Sequence, residues 1–495
     1  MSEFDRAVAD HRAGRIEAAA DIYRGILDEN PAHADAWHLL GLTLHQRGHN
    51  TSAVPAIHRA LLLDPRVANY HNSLGLVLHR LVDYDGAVKA LQTATALDGD
   101  DADAHNNLGM VYTDMRRFTD AENALRKSLG IRPENPGAVY NLGRVLVWQG
   151  DAEEAVGLLH KACAMDPRNP TYRNTLGVAL AQIHEFGAAR EAFETAISID
   201  PAQVDAHVNL AHSLLLDSEY DRGWETHEWR LRRPEFARRM SVEPWRGEDI
   251  SGQTILLWAE QGLGDAIQFI RYASLVADRG ARVIVECPAA LHDLFRTVRG
   301  VADVIAPGVA VPHDAHAALL SLPLLFGVRS SSDPYIPKPS PVLPESGGRL
   351  RVGLVWAGNP MHANDRNRSQ SLASFAPLVS AKCIFHGLQA GAAASDSEPE
   401  GMLLLRLGDG FHSFADTAAA LSALDLLISV DTSVAHLAGA LAIPTWLILP
   451  SSPDWRWGRD GETTPWYPSM RLFRQLAAEP KQKVFERLAK SLAAL

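Results

Sequence analysis

The chain of 495 residues is poor in cysteine, in basic charge and in long apolar runs. Its cysteines, Cys163, Cys287 and Cys383, lie far apart and show neither disulfide nor metal-ligand spacing. No uncharged apolar run approaches the length of a membrane span, and the N-terminus is charged where a signal peptide would be apolar. The net charge of −12 argues against a general nucleic-acid or anionic-membrane surface. We expect a cytoplasmic protein with no membrane span and no nucleic-acid partner.

The first half of the sequence repeats with a period of 34 residues. A proline marks one register, a glycine or alanine after a leucine marks a second, and an alanine marks a third. Small residues let two helices approach closely, and proline ends a helix. The registers therefore predict stacked helix pairs. Their members are Pro31, Pro65, Pro133, Pro167 and Pro201; Gly41, Gly75, Gly109, Gly143, Gly177 and Ala211; and Ala53, Ala87, Ala121, Ala155 and Ala189.

These registers, with the Trp-x2-Leu-Gly motif from Trp37 to Gly41, resemble the tetratricopeptide repeat. The resemblance implies an α-solenoid over residues 1–237 with a groove that binds a protein partner. Asparagine amides suit such a groove because each offers a donor and an acceptor to a peptide backbone. The alternative is that some of these asparagines cap turns or face solvent. The candidates are Asn72, Asn106, Asn107, Asn141, Asn174 and Asn209.

A basic run follows the last repeat, in which Gly223 stands where alanine is expected and Trp224 and Trp229 lie nearby. Contact with nucleic acid or a membrane is one interpretation. An ion-paired junction with an acidic neighbour fits the acidic total better. The run consists of Arg230, Arg232, Arg233, Arg238 and Arg239.

From Ser251 onward, strand-like and helix-like segments alternate in two blocks, separated by a Ser-, Pro- and Gly-rich stretch at 330–348. This alternation predicts two parallel sheets covered by helices, with a ligand cleft between their facing strand ends. We place the first half at 238–338 and the second at 339–495. The predicted strands are 254–258, 282–286, 302–306, 350–356, 382–389, 425–430 and 444–449, and the predicted helices are 289–298, 417–424, 432–441 and one from 266 onward.

The stretch from Trp258 to Arg271 connects the first strand to a helix. Gly262 and Gly264 are expected to permit a tight turn, which leaves N–H groups at the helix start for an anionic ligand. Asp265 follows this turn. A carboxylate in that place is either a helix N-cap or a functional group at the cleft.

Three motifs of this half occur in one order, and together they resemble the heptosyltransferase-type GT-B glycosyltransferases. Fusion of such a domain to repeats is similar to protein O-glycosyltransferases, including the bacterial flagellin-modifying enzymes. The resemblance implies a GT-B fold of two Rossmann-like halves, the first binding the acceptor and the second a nucleotide-sugar donor. The motifs are Gln261–Asp265; Val355–Asn359 with Asn364–Ser369; and Ser429–Ala438.

The same resemblance implies that Asp265 is the base that deprotonates the acceptor hydroxyl. It also implies that Arg368, assisted by Arg366, neutralises the donor phosphate without a metal. Without the resemblance, we would interpret this arginine loop as a solvated charged segment.

Further donor-binding residues are implied around the third motif: Asp431, Thr432, Ser433 and His436. Thr432 and Ser433 start a helix whose N–H groups would face the phosphate, although the family usually has glycine at Ser433. Asp431 would order the loop or meet a sugar hydroxyl. For His436 the alternative is a buried polar residue beneath the loop. The aromatic segment with Trp455, Trp457, Trp466 and Tyr467 either stacks on a base or sugar or buries the returning chain.

We predict an inverting, metal-independent glycosyltransferase that docks a protein acceptor on its repeats, with flagellin as the acceptor that the resemblance suggests. No cofactor is expected besides the nucleotide-sugar substrate, and no residue cluster suggests a metal site. Two alternatives stay open. One is a protein-interaction scaffold with an inactive transferase domain, and the other is a transferase acting on a lipid-linked saccharide.

Overall fold

A computed structural model describes residues 2–237, 239–329, 332–341, 343, 346–362, 364–477 and 479–495. Arg238 of the predicted basic run lies outside the described residues, as do Ser330, Ser331, Val342, Pro344 and Glu345 of the predicted linker. The chain divides into two units, Met1–Pro201 and Ala202–Leu495. The predicted boundary at 237 lies further along the chain, because the last pair of repeat helices belongs to the second unit.

The first unit consists of helices that pack in consecutive pairs, as the registers predict. Among the described residues these helices are α1 Glu3–Arg12, α2 Ile16–Glu29, α3 Ala34–Gln46, α4 Asn50–Leu63, α5 Ala68–Arg80, α6 Tyr84–Leu97, α7 Ala102–Asp114, α8 Phe118–Ile131, α9 Pro136–Gln149, α10 Ala152–Met165, α11 Pro170–Gln182 and α12 Phe186–Ile199. The prolines of the first register follow the helix ends: Pro31 comes two residues after α2, and Pro65 two residues after α4.

Close packing explains the glycine and alanine registers. A Cβ atom added to Gly109 would lie 2.5 Å from the Leu125 side chain and 3.2 Å from the carbonyl oxygen of Ala121. A Cβ atom on Gly41 would lie equally close to Ile57 and 3.3 Å from the carbonyl oxygen of Ala53. The two registers therefore meet within each pair, which confirms the predicted helix–helix approach.

The second unit begins with the last repeat pair, α13 Val204–Leu216 and α14 Tyr220–His227, and continues into a four-stranded parallel sheet. The strand order in this first sheet is β3-β2-β1-β4. Its elements are β1 Thr254–Trp258, α15 Leu263–Phe269, α16 Ala273–Ala277, β2 Arg282–Glu286, α17 His292–Phe295, β3 Val301–Ile305, β4 Ala315–Ala318 and α18 Leu322–Phe326.

A second parallel sheet has six strands in the order β10-β9-β8-β5-β6-β7. Its elements are β5 Leu350–Val355, α19 Asp365–Arg368, β6 Cys383–Gly387, β7 Leu404–Arg406, α20 Phe414–Leu421, β8 Leu426–Val430, α21 Ser433–Ala440, β9 Thr445–Leu449, β10 Met470–Arg474 and α22 Gln482–Ala493. The two predicted parallel sheets are thus present. All seven predicted strands occur, with ends shifted by at most a few residues.

Several elements differ from the sequence-based expectation. The helix predicted at 289–298 is broken into a 3-10 turn at Ala289–Leu291 and the single turn α17. The three-residue strand β7 is too short to show a periodic pattern, and the single turn α19 has no counterpart among the predicted helices. No helix within the described part of the chain is long and apolar enough to cross a membrane.

Candidate functional site

The predicted motifs of the two sheets meet at one place in the second unit. Helix α15 follows β1 of the first sheet, and α21 follows β8 of the second sheet. Their first turns touch: a Cβ atom on Gly264 would lie 2.8 Å from the His436 ring and 3.5 Å from the Cα of Ser433. The carboxyl ends of two parallel sheets thus face each other, as expected for a ligand cleft.

The two glycines of the first motif occupy different places, one before helix α15 and one inside it. Gly262 is the N-cap of α15 with an extended backbone, φ −67° and ψ 165°. Gly264 lies inside α15, where its missing side chain makes room for α21. The chain passes from β1 to α15 within residues 259–262, neither glycine has a positive φ, and Gly264 permits close helix packing.

Asp265 lies in the first turn of α15, but it is not the N-cap. It is the third residue of the helix, and its Oδ2 accepts a hydrogen bond of 2.9 Å from the N–H of Gly262. Its Oδ1 forms an ion pair with Arg456. About one fifth of the side chain is exposed. A carboxylate has about four lone-pair sites, so two contacts leave Asp265 able to accept a further hydrogen bond from a ligand.

Arg456 is the site residue that the sequence analysis misses. It is buried and lies in a 3-10 turn, Trp455–Trp457, after β9. Its Nη1 donates to Asp454 at 2.7 Å, its Nε donates to Gln268 Oε1 at 2.7 Å, and its guanidinium lies 4.2 Å from the centre of the Trp455 ring. Since Gln268 and Asp265 belong to α15, Arg456 connects the second sheet's loop to the first sheet's helix.

The pKa values of two carboxylates near Arg456 are shifted in opposite directions. Burial and the nearby charge of Asp454 raise the pKa of Asp431 to about 6. Burial also acts against ionisation of Asp454, yet the Arg456 guanidinium holds the pKa of that carboxyl below its ordinary value. Asp431 therefore carries a proton under mildly acidic conditions, when it can donate a hydrogen bond to a ligand oxygen.

His436 lies beneath the loop, as the alternative interpretation proposes. It is buried, its Nδ1 is 2.8 Å from the Tyr467 hydroxyl, and its ring stacks near Trp457. Burial and the Arg456 charge lower the pKa of His436 to about 3, so the ring is neutral. The 3.7 Å approach to Asp431 is consequently not an ion pair. His436 therefore contacts Tyr467 and Trp457 beneath the loop, and its contact with the sugar donor stays a prediction.

The arginine loop is anchored at the cleft. Arg368 ends α19, is largely buried, and donates from Nε to Asp365 at 3.2 Å. Gly358 of the second motif makes room for it, because a Cβ there would lie 2.5 Å from the guanidinium. The charge of Arg368 acts on both Asp431 and His436. Arg366 is exposed on the same turn, and its carbonyl accepts from Lys481 at 3.3 Å.

Thr432 and Ser433 occupy the predicted helix start. Thr432 is the N-cap of α21, with φ −145° and ψ 167°, and its side chain makes no capping hydrogen bond. Its Oγ1 lies 3.3 Å from the hydroxyl of Ser429. Ser433 is the first residue of the helix. The first N–H groups of a helix have no partner within it, so this turn can offer donors to an anion.

The aromatic segment buries the returning chain. Trp455, Trp457, Trp466 and Tyr467 are all buried. Trp455 and Trp466 meet Trp224 of α14 edge to face, at 5.3 and 6.3 Å between ring centroids. These rings hold the last repeat helix, α15 and the segment after β9 together, and stacking on a ligand base would require them to separate.

The basic run forms the predicted ion-paired junction. Arg230 is buried and contacts Glu228 at 2.6 Å and Glu260 at 2.8 Å. Arg233 pairs with Asp205 at 3.0 Å, and Arg239 pairs with Glu286. Burial raises the pKa of Glu260, and Arg230 opposes this effect.

A cavity of about 1440 Å³ adjoins this junction. Its wall includes Trp224 and Glu225 of α14, Ala318 at the end of β4, and Leu324 of α18. Ser321 also lines it and accepts from Arg230 at 2.8 Å, which links the cavity wall to Glu260 near the start of α15. The volume exceeds the usual 300–1,000 Å³ of small-molecule pockets.

Most of the predicted groove asparagines in the first unit bond to one another. Asn107 donates to Asn72 at 2.9 Å, and Asn141 donates to Asn106 at 3.0 Å, each across 35 residues. His38 and Ser73 make the same contact one repeat earlier. This spacing is visible in the sequence and could have predicted the ladder. Asn174 and Asn209 lie on α11 and α13.

The registers and helix pairs are those of tetratricopeptide repeats, and two parallel sheets follow them; repeat domains of this class bind protein partners. The sequence model of the C-terminal domain of cilia and flagella-associated protein 70 matches residues 3–222. Protein FlbA of Caulobacter vibrioides is 25% identical, over 52% of this chain and 50% of FlbA. The chain thus spans about half the length of this curated relative.

Solved structures of repeat proteins resemble part of the chain. MamA is 27% identical, with a TM-score of 0.30, and the match covers 34% of this chain and 96% of MamA. PilF of Pseudomonas aeruginosa is 20% identical, with a TM-score of 0.36, over 42% of this chain and 96% of PilF. YrrB, described as a TPR protein with an unusual peptide-binding site, is 21% identical, with a TM-score of 0.32, over 38% and 96%.

Proposed function

We propose that the second unit is a GT-B glycosyltransferase that moves a sugar from a nucleotide donor to a hydroxyl of a protein bound by the repeats. One observation carries the proposal: the first turn of α15, with Asp265, packs on the first turn of α21. The charge of Arg368 acts on Asp431, which lies two residues before that helix. A proton acceptor from one sheet and an anion site from the other are thus next to each other.

In the proposed reaction, the acceptor oxygen attacks the anomeric carbon of the sugar while Asp265 takes its proton. The bond from that carbon to the donor phosphate oxygen breaks, and its electron pair leaves with the phosphate. Attack from the opposite face inverts the configuration. Arg368 and the N–H groups at the start of α21 stabilise the leaving phosphate by charge-assisted hydrogen bonds, which makes a metal ion unnecessary.

The acceptor would be a serine or threonine hydroxyl of a bacterial surface protein, with flagellin as the first candidate on the resemblance stated above. The cavity beside α14 favours a protein segment over a small molecule because of its size and its aromatic wall. Its wall reaches Glu260 through Ser321 and Arg230, so a bound segment would approach the start of α15 from this side.

Isothermal calorimetry with the full chain and a panel of nucleotides and nucleotide sugars tests this proposal. We expect one nucleotide class to bind and its sugar conjugate to bind more tightly. The acceptor is then sought with Asp265→Asn as a trap, followed by the intact mass of any captured protein before and after incubation with the wild-type chain and the donor.

The second candidate is a protein-interaction scaffold without turnover. It is favoured by Ser433, which stands where the resembling enzymes have glycine, and by the ion pair that already engages Asp265. If no nucleotide or nucleotide sugar binds the wild-type chain, this scaffold function replaces the transferase. A transferase acting on a lipid-linked saccharide would instead bind the donor but leave every captured protein unmodified.

A further inference from the structure

We infer that Arg456 is a positioning residue that fixes the carboxylate of Asp265 toward the acceptor, an inference that rests on the function proposed above. Its guanidinium contacts Asp265, Asp454 and Gln268 at the same time. These groups come from both sheets of the second unit, so the orientation of the proposed base depends on a residue 191 positions further along the chain.

The guanidinium is held in place without Asp265. Gln268 is fully buried and accepts from Nε at 2.7 Å, Asp454 accepts from Nη1 at 2.7 Å, and Trp455 covers one face at 4.2 Å. A planar guanidinium with three such contacts has a defined orientation. The direction of its remaining Nη2 donor is then fixed, and that donor meets Asp265 Oδ1.

Asp265 is consequently held at both oxygens. Arg456 holds Oδ1, and the Gly262 N–H holds Oδ2 at 2.9 Å. The titratable groups on which the charge of Asp265 acts are Arg456 from the loop after β9, Glu260 just after β1, and His362 from the loop after β5. Among the described residues, Arg456 is the cation that forms an ion pair with Asp265, and its loss would leave a more mobile carboxylate.

Arg271 supplies a matched control. Like Arg456, it is buried; it lies in the 3-10 turn Ile270–Tyr272 that follows α15. It also reaches the aromatic segment, because it donates to the carbonyl oxygen of Trp466 at 3.0 Å. Its other partners are the carbonyl oxygens of Gln268 and Arg329 and the Tyr335 hydroxyl. Arg271 therefore connects the two sheets but has no carboxylate partner among the described residues.

The test compares Arg456→Gln with Arg271→Gln in the full chain, using carbodiimide with methylamine and mass spectrometry of the peptide that contains Asp265. A carboxylate released from its guanidinium is more open to activation. We expect Asp265 to be labelled several-fold faster in Arg456→Gln and at the wild-type rate in Arg271→Gln. Equal labelling in both variants would overturn the inference. This readout needs no donor, so it stays informative if no nucleotide sugar binds.

The nucleotide sugar that binds the wild-type chain gives the second readout, as release of the nucleotide. We expect Arg456→Gln to lower kcat by roughly 10- to 100-fold, the range for losing a group that orients a reacting residue, with little change in the donor KM. A raised KM at unchanged kcat would make Arg456 a donor ligand and overturn the inference. If Arg456→Gln does not fold, Arg456→Lys serves instead, because it keeps the charge but cannot make all three contacts at once.

Discussion

The repeats and the cleft are built from contacts of very different reach along the chain. Within the first unit, a register glycine and the side chain that packs on it lie 16 positions apart, as in Gly109 and Leu125. The hydrogen bonds of the asparagine ladder join residues 35 positions apart. In the cleft, Asp265 meets Arg456 across 191 positions. An array of local contacts is stabilised unit by unit, whereas the cleft exists only when two sheets and their loops have assembled.

This difference separates the effects of substitutions. A change in one repeat should alter the stability of that repeat and its neighbours, with no effect on the cleft chemistry. A change at the cleft should alter ligand binding or turnover, because the groups that meet there are few and each makes several contacts.

Asp265→Asn should lower turnover by roughly 10²–10⁴-fold, since the range is that for losing a positioned proton acceptor. Asparagine can still accept from the Gly262 N–H through its carbonyl oxygen, so helix α15 should form. Nucleotide release from the bound nucleotide sugar measures the loss, and calorimetry confirms donor binding. Near-normal transfer by this variant would remove Asp265 from the mechanism and leave it as a helix-capping residue.

Arg368→Ala should weaken donor binding by about 1.5–3 kcal/mol, the scale of a charge-assisted contact. The physical reason is that the Arg368 guanidinium is positioned at the cleft by its hydrogen bond to Asp365, in the space that Gly358 leaves open. Calorimetric titration with the nucleotide gives the difference directly. Arg366→Ala is the control on the same turn, where the side chain is exposed, and it should have a smaller effect. An equal loss in both variants would point to general electrostatic attraction.

The sequence predicts the repeats well because each register recurs at a fixed period and has a single packing reason. It also predicts that the two sheets bring Asp265, Arg368 and Thr432 together, since the strand ends of open sheets face a common cleft. The resemblance to known enzymes supplies the roles. Periodicity alone contains no information about which side chain of one sheet reaches the other.

Arg456 shows where sequence analysis stops. It lies between two tryptophans in a segment without periodicity, and its partners are set by the approach of two sheets. The glycines of the first motif show a second limit, because the sequence cannot tell a glycine needed for a turn from one needed for helix packing. Gly264 is of the second kind. The Asn ladder, by contrast, has a visible signal in its 35-residue spacing.

Gly109→Ala should destabilise the repeats by about 1–3 kcal/mol, as expected for an added methyl in a packed interface. Its Cβ would lie 2.5 Å from Leu125. Gly130→Ala is the matched control in the adjoining helix, because a Cβ there meets nothing within 4 Å. That substitution should stabilise the chain by about 0.4–1 kcal/mol through the unfolded state. Thermal unfolding of the full chain measures both, and donor binding should stay unchanged in each. A donor affinity altered by Gly109→Ala would contradict the separation of repeats and cleft.

The smallest effect concerns His227, which is fully buried beside Trp224 in the last repeat helix. Burial, with the positive charge of Arg230, holds the pKa of His227 well below its ordinary value of 6.5. At this histidine, the unfolded chain takes up a proton near pH 6.5 and the folded chain does not. The contribution of His227 to the free energy of unfolding is therefore fully present above pH 6.5 and is lost progressively as the pH falls below it. The raised pKa of Asp431, about 6, acts in the opposite direction, because its proton favours the folded state below that pH. The Asp431 contribution is common to the wild-type chain and the variant.

His227→Phe removes only the histidine contribution, so its melting temperature should fall less than that of wild type between about pH 7.5 and about pH 5. His58→Phe, at an exposed position in the repeats, should keep the wild-type slope. A His227→Phe protein with the wild-type slope would show that His227 does not contribute to acid sensitivity.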